Sequence, residues 1–274
     1  MRKAMTENEY NVAEGIRRSD LWKMEDSPEK FRYFLEHPVE QTPAMAFGSA
    51  CHKFILENGD FPAEYALAPE VDKRTKAGKE EWETFLAQIG DRKPITKEDN
   101  QIMVDMYAAV ERCPLAKKLI LGKGTTEEAF FWTDPETGER CKIKVDRLVK
   151  YNRRWYVVDY KTTQCAETFR FNSDMWKLGY HFQAGMYTEG VMISKKLRKR
   201  PGFLFVAQEK KAPYSVNVIE VSEEVMAAGV AKFHQLMEKY HNCKAIDVWP
   251  GYVGDVPNDA FVPGWAEREM EDEF

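Results

Sequence analysis

Three acidic residues and a lysine in the middle of the chain are the residue types of a metal-dependent site: Glu127, Asp146, Asp159 and Lys161. Each acid falls in its own segment of alternating apolar and polar residues, which is the pattern of a β-strand. Neighbouring carboxylates raise one another's pKa unless a cation lies among them. Because Mg²⁺ and Mn²⁺ prefer oxygen ligands, the acids predict a site for a hard divalent cation. A phosphate group would complement both that ion and the lysine.

The first turn between these segments sets the pairing of the first two strands. Asp134-Pro135-Glu136-Thr137-Gly138 has the residue types of a tight turn, because proline fixes its φ and glycine accepts a positive φ. With 135–138 as a four-residue loop, Glu127 lies opposite Asp146. A loop that differs by one residue would bring Glu128 to that place instead.

The second turn, Asn152-Arg153, sets the pairing of the second and third strands. As a two-residue loop it places Asp146 opposite Asp159. Directly opposed side chains have Cβ atoms about 4.5–5.5 Å apart, and Lys161 shares the face of Asp159 because side chains alternate along a strand. An Asp-x-Lys segment alone is more typical of a surface salt bridge. The row of three acids is what favours a metal site.

The two faces of this predicted three-stranded meander differ in polarity. Lys142, Lys144 and Lys161 share the face of the acids, which we therefore expect to be open to water. The opposite face predicts a core, made of Phe130, Trp132, Ile143, Val145, Val149, Tyr156 and Val158.

The remaining segments supply helices around the predicted sheet. Helices are predicted at about 45–57, 77–90, 97–112, 172–192 and 222–242, and strands at 126–133, 139–150, 154–161, 202–209 and 214–220. This order predicts an α/β fold with a central mixed β-sheet flanked by helices. We expect one domain over residues 1–266, with a helical N-terminal part at about 1–112 and a catalytic sheet core at about 126–242. An acidic tail, 267–274, would follow.

Composition and charge exclude several classes of protein. The 274 residues are 43% hydrophobic and 31% charged, which is typical of a globular chain. There is no apolar run of about 18 residues, and none follows Met1-Arg2-Lys3, so neither a membrane span nor a secretory signal is expected. The five cysteines contain no Cys-x-x-Cys pair, which argues against zinc and disulfides and favours the cytoplasm.

A net charge of −5 argues against a uniformly basic binding surface, yet the charge is unevenly distributed. Residues 267–274 hold five acids and one arginine. Two basic clusters remain, each more typical of a solvated face: Lys73, Arg74, Lys76 and Lys79, then Lys195, Lys196, Arg198, Lys199 and Arg200.

At Asp146 and Asp159-Tyr160-Lys161 the sequence resembles the PD-(D/E)xK nucleases, whose core is restriction-endonuclease-like. Over about residues 10–220 it is similar, more closely, to the RecE (exonuclease VIII) type of double-stranded DNA exonuclease. The segments that carry this similarity are Thr42 to Gly48, Lys73 to Glu80, Asp134 to Gly138, Asp159 to Thr163 and Tyr180 to Gln183.

The resemblance assigns a role to a histidine that spacing alone does not identify. Gly48-Ser49-Ala50-Cys51-His52 matches a Gly-x-x-x-His helix shared with lambda exonuclease relatives, which makes His52 a metal ligand. Asp146, Asp159 and the Tyr160 backbone carbonyl complete the implied ligands, with Glu127 as a further candidate. One or two Mg²⁺ ions are expected, Mn²⁺ being an alternative, and Lys161 would orient the attacking water. The iron-sulfur members of the wider group need a set of cysteines that this chain lacks, so no cluster is expected.

The resemblance also suggests residues that contact DNA. Gln183-Ala184-Gly185-Met186-Tyr187 matches the family's Gln-x-x-x-Tyr, whose two side chains share one helical face. Gln183 and Tyr187 are therefore candidates for scaffold or DNA contacts, with core packing as the alternative for Tyr187. Four basic residues are candidates for contacts to the backbone or 5′-phosphate: Lys73, Arg74, Lys76 and Lys79.

The RecE resemblance implies a Mg²⁺-dependent 5′→3′ exonuclease of phage or prophage recombination. Such an enzyme shortens linear double-stranded DNA, releases 5′-mononucleotides and leaves a 3′ single strand. The implied partners are DNA ends, further copies of the chain in a homo-oligomeric toroid, and a RecT-type single-strand annealing protein. Two alternatives are a structure-specific or nicking endonuclease on the same fold, and an inactive DNA-binding or assembly protein.

Overall fold

The computed structural model describes residues 5–252, 254, 257–263 and 266–267. Its α-helices are α1 (Glu7–Val12), α2 (Arg18–Leu21), α3 (Pro28–Glu36), α4 (Pro43–Leu56), α5 (Phe61–Glu64), α6 (Lys76–Ile89), α7 (Lys97–Arg112), α8 (Pro114–Ile120), α9 (Thr168–Lys177), α10 (Tyr180–Ser194) and α11 (Glu223–Ile246). Its strands are β1 (Tyr65–Leu67), β2 (Lys93–Ile95), β3 (Gly124–Thr133), β4 (Arg140–Tyr151), β5 (Arg154–Thr163), β6 (Gly202–Glu209) and β7 (Val216–Glu220). The predicted acidic tail lies outside the described residues, Glu267 excepted.

The central sheet has five strands in the order β3-β4-β5-β6-β7. β5 and β6 are parallel, whereas the other neighbours are antiparallel. The connection from β5 to β6 contains α9 and α10, as a parallel pair requires a long crossover. The predicted α/β fold with a central mixed sheet flanked by helices is confirmed. A separate parallel pair, β1 with β2, was not predicted, because three-residue strands leave little period-two pattern to detect.

Both predicted hairpin registers are confirmed. Glu128 pairs with Val145 and Thr126 with Arg147, which is the register of the four-residue loop. The second hairpin closes as Tyr151 with Arg154, and the two loop residues, Asn152 and Arg153, have φ of 46° and 64°. Two successive positive φ values are those of a type I′ turn, whose twist matches the twist of the strands.

The predicted core is wrong in one respect, because the sheet is covered on both faces. Val145 and Val149 are four positions apart on β4, so regular alternation would place them on the same face. Instead, Val145 packs in a cluster with α10 and α11, and Val149 packs in a cluster with α4, α7 and α8. The change occurs beside Glu127, the β3 residue between the paired Thr126 and Glu128, which has φ of +50°. A left-handed residue interrupts the alternation of side chains along a strand.

One predicted helix, 172–192, is two helices, α9 and α10. They meet at Gly179, whose φ of +67° is left-handed. A Cβ there would lie 2.5 Å from the Trp22 ring, so that only glycine fits this turn. Gly179 after Lys177-Leu178 is a local signal for a helix end, which the prediction of a single helix passed over. None of the helices in the described part of the chain is long and apolar enough to cross a membrane.

Candidate metal centre

The acids lie where β4 and β5 separate. The backbone ladder between the two strands ends at Arg147 with Val158, one residue before Asp146 and Asp159 would pair. In its place, the Tyr160 backbone N–H donates to Asp146 Oδ2 at 2.7 Å. The expectation that the acids lie on an open, wet face is therefore wrong: they occupy a cleft between strands, and Asp159 is only 2% exposed.

Glu127 faces this cleft and Glu128 does not. Glu127 is unpaired in the β3–β4 ladder, while Glu128 binds Lys195 Nζ at 3.0 Å on the other side of the strand. The left-handed backbone at Glu127 directs its carboxylate toward Asp146. No residue is inserted in either strand here, because Thr126 pairs with Arg147 and Glu128 with Val145, so the backbone conformation of Glu127 redirects its side chain.

His52 reaches the same cleft from α4. Thr42 caps that helix by accepting the Met45 N–H, and Pro43 occupies its first position, where a missing N–H costs nothing. His52 Nδ1 lies 3.5 Å from Asp146 Oδ2, and its ring meets the Tyr160 ring edge-on at 5.2 Å. One ligand atom from each of His52, Glu127 and Asp146 lies within 4.8 Å of the others, a spacing that could hold a metal ion.

Asp159 lies beside this group and is held from two sides. Gln183 Nε2 on α10 donates to Asp159 Oδ1. Lys161 Nζ is 2.7 Å from Asp159 Oδ2, but its direction makes an ion pair without a hydrogen bond. Asp159 Oδ2 is thus a buried carboxylate oxygen whose partner within the described residues is the Lys161 ammonium.

The charges at the cleft are out of balance without a cation. Burial and the neighbouring Asp159 raise the pKa of Asp146. Burial and Asp146 raise the pKa of Glu127 to about 7. Burial and Lys161 lower the pKa of His52, which keeps the imidazole neutral and able to bind a metal. Three carboxylates and a neutral imidazole fit a hard divalent cation, which would reverse both carboxylate shifts.

This arrangement predicts how stability depends on pH. Glu127 has a folded pKa of about 7, against an ordinary value of 4.5, so the folded protein binds more protons than the unfolded chain between those limits. Its contribution to the free energy of unfolding therefore falls as pH rises from about 4.5 to 7. Without metal, Glu127→Gln should gain stability over the wild type, by roughly 1–3 kcal/mol more at pH 8 than at pH 5.

Urea unfolding of both proteins in EDTA at the two pH values measures this difference. Adding Mg²⁺ at pH 8 should then stabilise the wild type more than the variant. A difference between the two proteins that shrinks as pH rises would contradict the assigned environment of Glu127.

Two lysines expected on the acidic face have separate roles. Lys144 Nζ is 2.8 Å from Glu127 Oε2 and also binds Glu7 of α1. Burial would lower the pKa of Lys144, but the two carboxylates outweigh burial and raise it. Lys142 does not join the site: its ammonium donates to the backbone oxygens of Tyr10 and Asn11 at the end of α1. Lys142 thus contacts the N-terminal helix and not the acids, and the strand pattern does not predict this contact.

Arg18 is a residue near the site that the sequence gave no reason to select. Its guanidinium donates to the backbone oxygens of Leu178 and Gly179 and lies 5.8 Å from the Trp22 ring. It thereby fixes the turn from which α10 starts, and α10 carries Gln183. Arg18 and Leu178 are about 160 positions apart in the sequence, so no local pattern could predict their contact.

The predicted DNA-contact residues lie in different environments. Gln183 is buried and its amide holds Asp159, so it positions that carboxylate. Tyr187 packs edge-on against Phe203 at 6.5 Å, and burial raises its pKa well above 10.0. Contacts of Gln183 and Tyr187 to DNA remain predictions.

The basic segment before and within α6 lies on the protein surface. Arg74 is paired with Asp72 at 3.0 Å, Lys76 lies 3.9 Å from Glu80, and Lys73 Nζ lies 3.1 Å from the centre of the Trp82 ring. Within the described ranges, neither these three residues nor Lys79 forms a hydrogen bond or ion pair with the metal-binding candidates. Their contact with DNA stays a prediction.

Comparison with known proteins places this sequence in a family. A family described as "PDDEXK-like domain of unknown function (DUF3799)" matches residues 18–257. A crystal structure from Eubacterium rectale, named as a putative exonuclease, shares 15% identity over 95% of this chain and 97% of its own, with a TM-score of 0.62. At that identity the likeness shows a common fold.

A second solved structure, of SSO0001, has 12% identity over 85% of each chain and a TM-score of 0.37, too low to bear on the fold. No curated protein matches the sequence. The predicted PD-(D/E)xK resemblance is confirmed, while the RecE type remains a prediction. Because the family match spans most of the chain, the protein belongs to the PDDEXK-like family DUF3799.

Proposed function

We propose that the protein is a Mg²⁺-dependent nuclease that degrades linear double-stranded DNA from 5′ ends. The observation that carries this proposal is the cleft between β4 and β5. There His52, Glu127 and Asp146 converge beside the buried Asp159, which is ion-paired with Lys161. An anionic phosphodiester is the natural substrate of a site that combines a divalent cation with an ammonium group.

The residues divide into those that hold the ion and those that act on the substrate. His52, Glu127, Asp146 and Asp159 would hold one or two Mg²⁺ ions, with the Tyr160 carbonyl as a further ligand. When bound, Mg²⁺ supplies Lewis-acid chemistry: it acidifies a water molecule and neutralises phosphate charge. Lys161 orients the attacking water and offsets negative charge that grows on the phosphate oxygens. Gln183 keeps Asp159 in one orientation through its hydrogen bond.

The finer specificity rests on the sequence resemblance to RecE-type exonucleases. That resemblance supports a 5′→3′ direction, release of 5′-mononucleotides and a 3′ single-stranded product. It also supports a homo-oligomeric toroid around DNA and a RecT-type annealing partner. A ring is compatible with a net charge of −5, because only the channel has to be positive.

End-labelled DNA tests the reaction directly. With Mg²⁺, a linear duplex labelled at its 5′ end should release labelled mononucleotide at once, whereas a 3′ label should stay in long fragments. Covalently closed plasmid should remain intact, and EDTA should stop all cleavage. Cutting or nicking of closed plasmid would assign the fold to an endonuclease. No cleavage of any DNA with Mg²⁺ or Mn²⁺ would contradict the nuclease proposal itself.

A further inference from the structure

The inner face of α9 packs on Tyr180, which in turn contacts Lys161 of the metal centre. It begins at Thr168, shortly after the end of β5, the strand that carries Asp159 and Lys161. Phe171 on α9 is buried and its ring lies 5.9 Å from that of Tyr180. Lys161 Nζ lies 5.0 Å from the centre of the same Tyr180 ring. A single aromatic ring therefore separates α9 from the ammonium group at the proposed site.

The outer face of α9 exposes large apolar side chains. Phe169 is 80% exposed and Trp176 is 49% exposed. Phe169 and Trp176 are seven positions apart, so they share one face of the helix and are separated by about 10 Å along its axis. Leu178, just past the end of the helix, is 44% exposed. We call Phe169 and Trp176 the apolar patch; the Trp176 ring also packs against the His181 ring, with 4.4 Å between centres, so only part of it is open to a ligand.

The charges around this patch favour an anionic partner. Arg170 and Lys177 are exposed beside the aromatics, and neither forms an ion pair within the described residues. The Glu167 carboxylate accepts the backbone N–H groups of Phe169 and Arg170 and so serves the start of the helix. Asp174 is half-buried and acts electrostatically on Tyr180, on the inner side.

We propose that the outer face of α9 binds an unpaired nucleic-acid strand beside the metal centre. Its bases stack on Phe169 and Trp176, and its phosphates contact Arg170 and Lys177. Aromatic side chains interleaved with cations are the usual platform for single strands, since every base offers a π-face. A duplex keeps its bases stacked inside and offers mainly phosphates. The proposal rests on the nuclease function and adds that the enzyme holds one strand separated near the cleavage site.

The test measures binding without hydrolysis. Fluorescence anisotropy in EDTA compares a labelled 20-nucleotide oligo(dT) with a 20-base-pair blunt duplex. The double variant Phe169→Ala/Trp176→Ala should bind oligo(dT) about tenfold or more weakly, and the duplex less than threefold more weakly. The aromatic replacement Phe169→Tyr/Trp176→Phe should bind oligo(dT) within threefold of the wild type. Tyr33→Ala removes an aromatic side chain, 55% exposed on α3, as the matched control and should have no effect.

The proposal would be overturned if the alanine variant kept its affinity for oligo(dT), or if its affinities for oligo(dT) and duplex fell equally. It would also be overturned if the alanine variant sedimented as a smaller species than the wild type. That last result would identify the patch as a contact between protein subunits. Thermal unfolding of each variant establishes that it is folded. Failure of the nuclease function would show instead as no DNA cleavage by the wild type with Mg²⁺. Failure of this proposal would leave cleavage intact and appear in binding alone.

Discussion

Asp146→Asn is expected to lower the rate of Mg²⁺-dependent DNA hydrolysis by roughly a thousandfold or more. Asp146 is the carboxylate that His52, Glu127 and Asp159 all approach, so the change removes the central anion of the proposed ligand set. Asparagine keeps the shape and still accepts the Tyr160 N–H through its amide oxygen. A metal ion stabilises the charge of the transition state by several kcal/mol. Because each ~1.4 kcal/mol changes the rate tenfold, losing that stabilisation gives the expected magnitude.

The same variant should not lose stability when metal is absent. Burial and Asp159 make an ionised Asp146 unfavourable in the folded protein, so a neutral amide relieves repulsion at pH 8. Initial rates on linear duplex and urea unfolding in EDTA measure the two effects. Glu128→Gln is the control, because that carboxylate points to Lys195 and should be dispensable for hydrolysis. If Asp146→Asn keeps more than about a tenth of the activity, Asp146 is not a metal ligand.

Lys161→Met is expected to lower hydrolysis by roughly 10²–10³-fold without weakening the binding of the metal ion. Lys161 Nζ is ion-paired with Asp159 Oδ2 at 2.7 Å, close enough to act on a phosphate beside the ion. Removing a positive charge next to a cation site cannot make cation binding less favourable by electrostatics. The variant should therefore separate the rate of the chemical step from metal affinity.

Single-turnover rates at saturating Mg²⁺ and a metal titration measure these two quantities. Lys161→Arg should not restore the rate, because a planar guanidinium cannot replace an ammonium point charge in one orientation. Lys195→Met removes a lysine that pairs with Glu128, away from the cleft, and should be neutral. A loss of metal affinity that equals the loss of rate would show that Lys161 only supports the ligands.

Local turn chemistry explains how much of the sheet could be predicted. Asp134 to Gly138 and Asn152-Arg153 determine their loop lengths, and each loop length determines a register. Those two registers were enough to bring Glu127, Asp146 and Asp159 to neighbouring strands. Which of Glu127 and Glu128 faces Asp146 stayed open in the sequence; the structure turns Glu127 there through a positive φ that no pattern indicated.

What the sequence could not give depends on tertiary packing. Where β4 and β5 separate, His52 of α4 contacts Asp146 and Gln183 of α10 holds Asp159, and period-two patterns carry no information about such contacts. Gly179 breaks the predicted helix because its backbone is left-handed, and the Trp22 ring, from a distant segment, fills the space that a side chain would need there. His52 lies on a helix where a single histidine has no pattern, and only the family resemblance singled it out.

Metal binding tests the central claim most directly. Isothermal titration of Mn²⁺ into metal-free protein at pH 8, in two buffers of different ionisation enthalpy, reports affinity and proton release. The wild type should bind with a dissociation constant below about 1 mM and release protons, since binding displaces them from carboxylates with raised pKa. Asp146→Asn should bind at least about tenfold more weakly. Equal affinity of both proteins, or no binding by the wild type at millimolar Mn²⁺, would contradict a metal centre between β4 and β5.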